Sequence, residues 1–232
     1  MTALAPTLQS WFTDYLIGQR GVSPNTIMAY RDCMRLLICY AHERHGVQPA
    51  QLDLAHLDDR TVAGFLDMLE DRRGASVATR NARLAAVHSL FSYASFRHPE
   101  HAELIQRVLA IPSKNGYRTD VTYLDNTEVD ALLAAPDRRT WSGQRDHTWL
   151  LLMITTGIRV GELTSLRRCD LSTARPAHIV VIGKGRKQRV IPLDRTTRAT
   201  LAAWTRANPA PPEAPLFAAR GRGSPMSTDA VA

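Results

Sequence analysis

The stretch TTGIRVGEL, residues 155–163, sets Arg159 two residues after Gly157 and three before Glu162. A glycine there ends the apolar run from Leu150 to Ile154, and the chain restarts on a charged side chain. A guanidinium is a rigid, always-charged fork of N–H donors, suited to neutralising and orienting a pair of anionic oxygens. Glu162, one helical turn on, is placed to support that group. A solvated arginine at a helix restart is the plainer reading of the same residues. About 25 residues further, VVIGKGRKQRVIPL carries Lys184 between Gly183 and Gly185, in a turn flanked by two β-branched runs. An ammonium on such a turn is a mobile proton donor, or simply a hairpin lysine. Nucleotide-loop readings fail. GKGRK has no glycine five residues earlier and no Ser or Thr after Lys184, and the GRG near residue 222 lacks a third glycine.

Positioning these groups requires a helix running to Thr155, a short helix after Arg159, and a hairpin over residues 178–193. Asp194 to Ala207 then reads as a helix with Leu201 and Trp204 inward, NPAPPEAP as a rigid loop, and LFAARG as an extended start. Upstream, LDNTEVDALL opens a helix at Asp125, with Glu128 completing an acidic capping box.

The first hundred residues read as four amphipathic helices in a compact bundle. Leu8, Trp11, Phe12, Tyr15 and Leu16 form one apolar stripe at α-helical spacing. Ser23 caps the second helix, Pro24 takes its first position and Gly46 stops it. The third starts near Asp58 or Asp59 and buries Val62, Phe65, Leu66 and Leu69. The fourth starts at Ser76 and buries Leu84, Val87, Leu90, Phe91 and Ala94. Its first turns carry Arg80, Asn81 and Arg83 on a face away from most of that stripe. These residue types suit phosphate and base-edge contacts, a solvated helix face being the alternative. Pro99 and Pro112 bracket a short helix, and PSKNGYRTD, with Lys114, is basic and turn-rich like a linker. The expected organisation is a bundle over 1–98, a linker over 99–117 and a second domain over 118–232. The fold class is mainly α with a small β-sheet, α+β.

Composition agrees with this picture. A 44% apolar chain of 232 residues has material for packed cores, and a net charge of +7 favours a polyanionic partner, most simply nucleic acid. Cys33, Cys39 and Cys169 match no zinc spacing and read as reduced, mostly buried thiols of a cytoplasmic protein. Neither a secretory leader nor a membrane span is evident, and no metal or organic cofactor is implied.

Together the two stretches resemble the tyrosine recombinase, or phage integrase, family. Thr156, Gly157, Arg159, Glu162 and Leu163 match its T-G-x-R-x-x-E-L segment. Gly183, Lys184, Gly185, Lys187, Arg189, Pro192 and Leu193 match its hairpin G-K-G-x-K-x-R-x-x-P-L, and Ser76, Thr79, Asn81, Arg83 and Leu84 match its core-binding domain. The resemblance implies a helical core-binding domain and a recombinase catalytic domain acting on double-stranded DNA through a phosphotyrosyl intermediate, with other protomers on the same site. In that scheme Arg159 clamps the scissile phosphate and Lys184 protonates the leaving 5′ oxygen. Glu162 supports Arg159. Arg186, Lys187 and Arg189, with Arg80, Asn81, Arg83 and Lys114, contact the DNA.

One departure matters. The family also uses a His-x-x-Arg segment and a tyrosine nucleophile after the hairpin. None of the eight histidines has an arginine three residues on, and the last of the six tyrosines is Tyr123. The catalytic domain is therefore expected to be incomplete at its C-terminus, and the chain to be inactive alone. The alternative function is an inert DNA-binding regulator of recombination sites. An unrelated helical DNA-binding regulator is a third reading.

Overall fold

A computed structural model describes residues 3–116, 123–183, 187–221 and 223–231. The chain divides into two compact units, Met1–Asp120 and Val121–Ala232.

In the first unit, α1 (Leu4–Ser10) continues as a π-helical segment, Trp11–Gln19. The stripe at α-helical spacing is thus only half right. Wider winding puts Trp11 and Leu16, five residues apart, on the buried side, and Phe12 and Tyr15 are left partly covered. Helix α2 (Pro24–His45) begins as expected: the Ser23 hydroxyl accepts the Thr26 N–H, and Gly46 closes it at φ 67°. Helix α3 (Asp59–Asp71) is capped by Asp58, and α4 (Val77–Ser95) by Ser76. All nine apolar side chains expected to be buried on these two helices are buried. Helix α5 (Ala102–Leu109) is the short helix expected between Pro99 and Pro112. Ile105 and Val108 enter the same core as Phe65 and Phe91, so the chain through Leu109 belongs to the bundle.

The second unit opens with α6 (Asn126–Ala134), where Asp125 and Glu128 form the expected reciprocal capping box. Helix α7 (Trp141–Thr156) is followed by α8 (Val160–Ser165). A three-stranded antiparallel sheet comes next, β1 (Leu171–Ser172), β2 (His178–Ile182) and β3 (Gln188–Pro192), in the order β1-β2-β3. The register pairs Ile179 with Ile191 and Val181 with Arg189. Helix α9 (Arg195–Ala207) packs on α7 and buries Leu201 and Trp204. The Trp204 indole N–H donates to the Leu216 carbonyl at 2.9 Å, which fixes the extended segment holding buried Leu216 and Phe217. The small sheet and the helices of both units make up the expected mainly-α architecture.

Candidate nucleic-acid interface

Gly157 sits just past α7 at φ 63°, a left-handed conformation that suits glycine, and its N–H donates to the Met153 carbonyl. Ile158 is buried, so the backbone turns sharply and presents Arg159 extended at the start of α8. Helix starts normally use a side-chain acceptor, which arginine lacks. The carboxylate of Glu162 supplies the helix start instead: its Oε2 accepts the Arg159 backbone N–H at 2.9 Å.

That carboxylate has a second task. Arg189 donates from Nη1 to Oε1 and from Nη2 to Oε2, both at 2.8 Å. Arg159 Nη1 reaches Oε1 at 3.3 Å. The Glu162 side chain is 7% exposed, Arg189 40% and Arg159 76%. The Arg189 hydrogen bonds are the main reason the Glu162 carboxyl lies at about 2. Burial opposes them, and the Arg159 N–H and both positive charges assist. A permanently ionised carboxylate thus anchors one arginine of the strand and leaves most donors of the other open to solvent.

Arg189, expected to contact a phosphate, has both prongs of its guanidinium on Glu162 in this structure. Alternation on β3 turns Arg189 and Ile191 to the face where Ile179 and Val181 are buried. A guanidinium on that face needs a carboxylate, and Glu162 provides it. Gly183 explains its own identity at the same place. A Cβ there would stand 3.1 Å from Arg189 Nη1 and 3.2 Å from Glu162 Oε1. The turn leading to Lys184 therefore starts against the Arg159–Glu162–Arg189 group, and the Gly183 N–H donates to the Lys187 carbonyl at 2.8 Å. The Lys187 residue is exposed. Lys184 and Arg186 lie outside the described residues.

In the first unit, the first turns of α4, expected to contact DNA with a solvated face as the alternative, engage the protein's own chain. Arg80 is 6% exposed. Its Nη1 donates to Asn81 Oδ1 and to the Pro112 carbonyl, each at 3.2 Å, and its Nε lies 3.6 Å from Glu70 Oε2. Asn81 pairs with the main chain of Lys114, accepting its N–H at 3.0 Å and donating to its carbonyl at 2.7 Å. Lys114 Nζ donates to Glu70 Oε2 at 2.6 Å. Arg83 donates to the Ala29 carbonyl at 2.7 Å, tying α4 to α2. These residues bind the 112–114 segment to the bundle, with Glu70 at the centre of the group. Its role has no local sequence signal, because its partners come from 10 and 44 residues away.

Charge is divided unevenly. Residues 121–232 hold 16 of the 29 lysines and arginines but 10 of the 22 aspartates and glutamates. Among the described residues no group of His, Cys, Asp and Glu is arranged to hold a metal ion. No helix among them is long and apolar enough to cross a membrane.

Comparison with known proteins places this geometry. Residues 122–232 match the Phage integrase family and residues 10–98 its N-terminal SAM-like domain. Two Sinorhizobium fredii proteins bearing integrase/recombinase names, y4rC and y4rD, are 52% and 42% identical, over 87% and 86% of this chain. Tyrosine recombinase XerC of Methylobacterium sp. is 31% identical over 96% of it. The chain spans 61%, 72% and 69% of these three relatives' lengths and so is shorter than each. The fold is that of a lambda integrase dimer bound to a COC′ core site (TM-score 0.70, 17% identity, 99% of this chain and 78% of that one). It is also that of XerH recombinase bound to a difH substrate (TM-score 0.64, 22% identity, 90% and 60%). Both family domains are matched in order, and two relatives above 30% identity are covered over more than two thirds of their length, so the chain belongs to the tyrosine recombinase, or phage integrase, family.

Proposed function

We propose that this protein binds double-stranded DNA at a recombination site, with Arg159 gripping the phosphate at which the family exchanges strands. One observation carries the reading. Arg159 stands at a helix start with its guanidinium mostly exposed, while Glu162, its neighbour, is ionised and committed chiefly to Arg189. That arrangement holds the backbone of Arg159 rigid and leaves its donors for an anion, the pre-organisation that phosphate chemistry needs. Lys184, following Gly183, is the donor for the leaving 5′ oxygen, and Arg186 and Lys187 steady the neighbouring backbone. The DNA-bound form engages further protomers, and the protein acts in the cytoplasm, where the DNA is.

Cleavage by this family's route transfers the 3′ phosphoryl group to a tyrosine oxygen. The 232 residues hold no tyrosine after Tyr123 and no His-x-x-Arg. Acting alone, they bind duplex DNA without nicking or joining it. The test is a suicide-substrate assay with a duplex carrying the recombination site, run beside a binding titration. Binding without a covalent adduct is expected, and Arg159→Ala should weaken it. A protein–DNA adduct refutes inactivity. Absence of any duplex binding at low salt refutes the reading itself.

A further inference from the structure

We propose a second phosphate site on the catalytic unit: a cleft lined by Arg175, Arg195 and Arg198 that takes the phosphodiester backbone of duplex DNA. The cleft has a volume of about 500 Å³, with Ala177 and Leu193 completing its wall. Folding brings its residues together from 20 positions apart. The His178–Pro192 pair and the Leu193 N–H, donated to the Ala177 carbonyl at 3.0 Å, close that end of the sheet. Arg175, in the turn before β2, thereby meets Arg195 and Arg198, which are spaced i, i+3 on the first turns of α9.

Arg139, Arg145, Arg159 and Arg189 of this unit each have a carboxylate within ion-pair distance, and Arg138, Arg167, Arg168, Arg206 and Arg220 pair with no described acid. What distinguishes Arg175, Arg195 and Arg198 is their grouping around one cleft. Arg175, Arg195 and Arg198 make no ion pair with any described residue. The nearest acid in sequence, Asp194, is engaged by its own helix. Its Oδ1 accepts the Thr196 and Thr197 N–H groups, and its Oδ2 accepts the Thr197 hydroxyl. Three guanidiniums converging on an open cleft without a counter-charge repel one another until an anion neutralises them. The site is separate from the Arg159 group. Strand β2 has five residues, so the two ends of the hairpin lie about 13 Å apart. A duplex seated at Arg159 carries phosphates at that distance in either direction.

The assignment rests on the duplex-binding reading above, and the experiment separates the two. Affinity of the full chain for a 30-bp duplex is measured from 50 to 300 mM salt for the wild type, for R175Q/R195Q/R198Q and for R175K/R195K/R198K. Each phosphate contact contributes about 0.9 to the slope of log affinity against log salt. The Gln triple variant should lose about 1–3 of that slope and bind at least ~10-fold more weakly at 100 mM salt. The Lys triple variant should keep most of both. Inorganic phosphate, titrated separately by NMR, distinguishes a backbone phosphate from a free one. Equal slopes for wild type and the Gln variant overturn the site and leave duplex binding standing. Arginine signals that respond to inorganic phosphate while the duplex slope stays unchanged overturn the duplex assignment. A Lys variant as weak as the Gln variant also overturns it, and a wild type that binds no duplex removes both readings.

Discussion

Replacing Glu162 by Gln removes the charge that joins the start of α8 to strand β3. Glutamine keeps one oxygen for the Arg159 N–H or for a single Arg189 hydrogen bond, but it cannot accept both prongs of Arg189 as a carboxylate does. The carboxyl at about 2, against an ordinary 4.5, corresponds to at most about 3 kcal/mol. Water reaches Arg159 and Arg189, whose side chains are 76% and 40% exposed, and screening reduces the figure to about 1–2 kcal/mol. For a unit of this size, ~1 kcal/mol lowers Tm by about 4–8 °C. The expected loss at pH 7 is therefore roughly 5–15 °C in the transition of the second unit. The pH dependence follows from the direction of the shift. A carboxyl held below its unfolded value contributes fully above about 4.5 and loses that contribution as pH falls toward about 2. Thermal unfolding of wild type and Glu162→Gln by circular dichroism at pH 7, 5, 4 and 3 should show curves that converge on acidification. A Tm difference as large at pH 3 as at pH 7, or no difference at pH 7, would refute the account of Glu162 as an ionised tie.

Gly183→Ala should disturb the same group from the other side. Its new methyl, 3.1 Å from Arg189 Nη1, crowds the guanidinium where it meets Glu162, and a Tm loss smaller than that of Glu162→Gln, and less than additive with it in the double variant, is the expected result. Asn81→Ala removes both hydrogen bonds to the Lys114 main chain. At about 1 kcal/mol each, amide exchange at Lys114 should accelerate ~10–30-fold while α3 and α4 keep their protection, and unchanged exchange at Lys114 contradicts the anchor. Burial pushes the Cys33 thiol up to about 12, whereas Cys39 and Cys169, against the expectation of mostly buried thiols, are exposed; an aromatic disulfide reagent at pH 8 should titrate two thiols quickly and the third only on unfolding. Phe65→Ala, at a fully buried position, should cost 3–5 kcal/mol in chemical denaturation of the first unit.

Much of the architecture is written locally. Ser23–Pro24 with Gly46, Asp58, Ser76, and Asp125 with Glu128 each fix a helix end through contacts within four residues, so composition and spacing suffice to find them. The hairpin is legible for the same reason, two β-branched runs around glycines. What the sequence hides is long-range. Arg80 looks like a surface residue until Glu70, Asn81 and Pro112 are brought around it, and nothing near Arg189 in the sequence points to Glu162, 27 residues away, which folding sets 2.8 Å from it. The π-helical segment escaped because the i, i+5 spacing of Trp11 and Leu16 coexists with a complete α-helical stripe. The short helix between the two prolines was legible, but its place in the bundle was not, because that rests on Ile105 and Val108 meeting side chains far away in the sequence. In the site itself, residue types sufficed to nominate Arg159 and Glu162. They could not say that the glutamate serves two arginines at once.

Strand β3 forms one border of the sheet, with β2 its sole neighbour among the described residues. Such a border is an invitation to a foreign strand, the more so with Val190 61% exposed on it. Pro192 withholds a donor at one end, and Arg189 places a positive charge underneath, where an incoming chain has no acid to offer. The ion pair that joins strand β3 to the start of α8 thus doubles as a guard against aggregation, and losing it should make the protein stickier as well as softer.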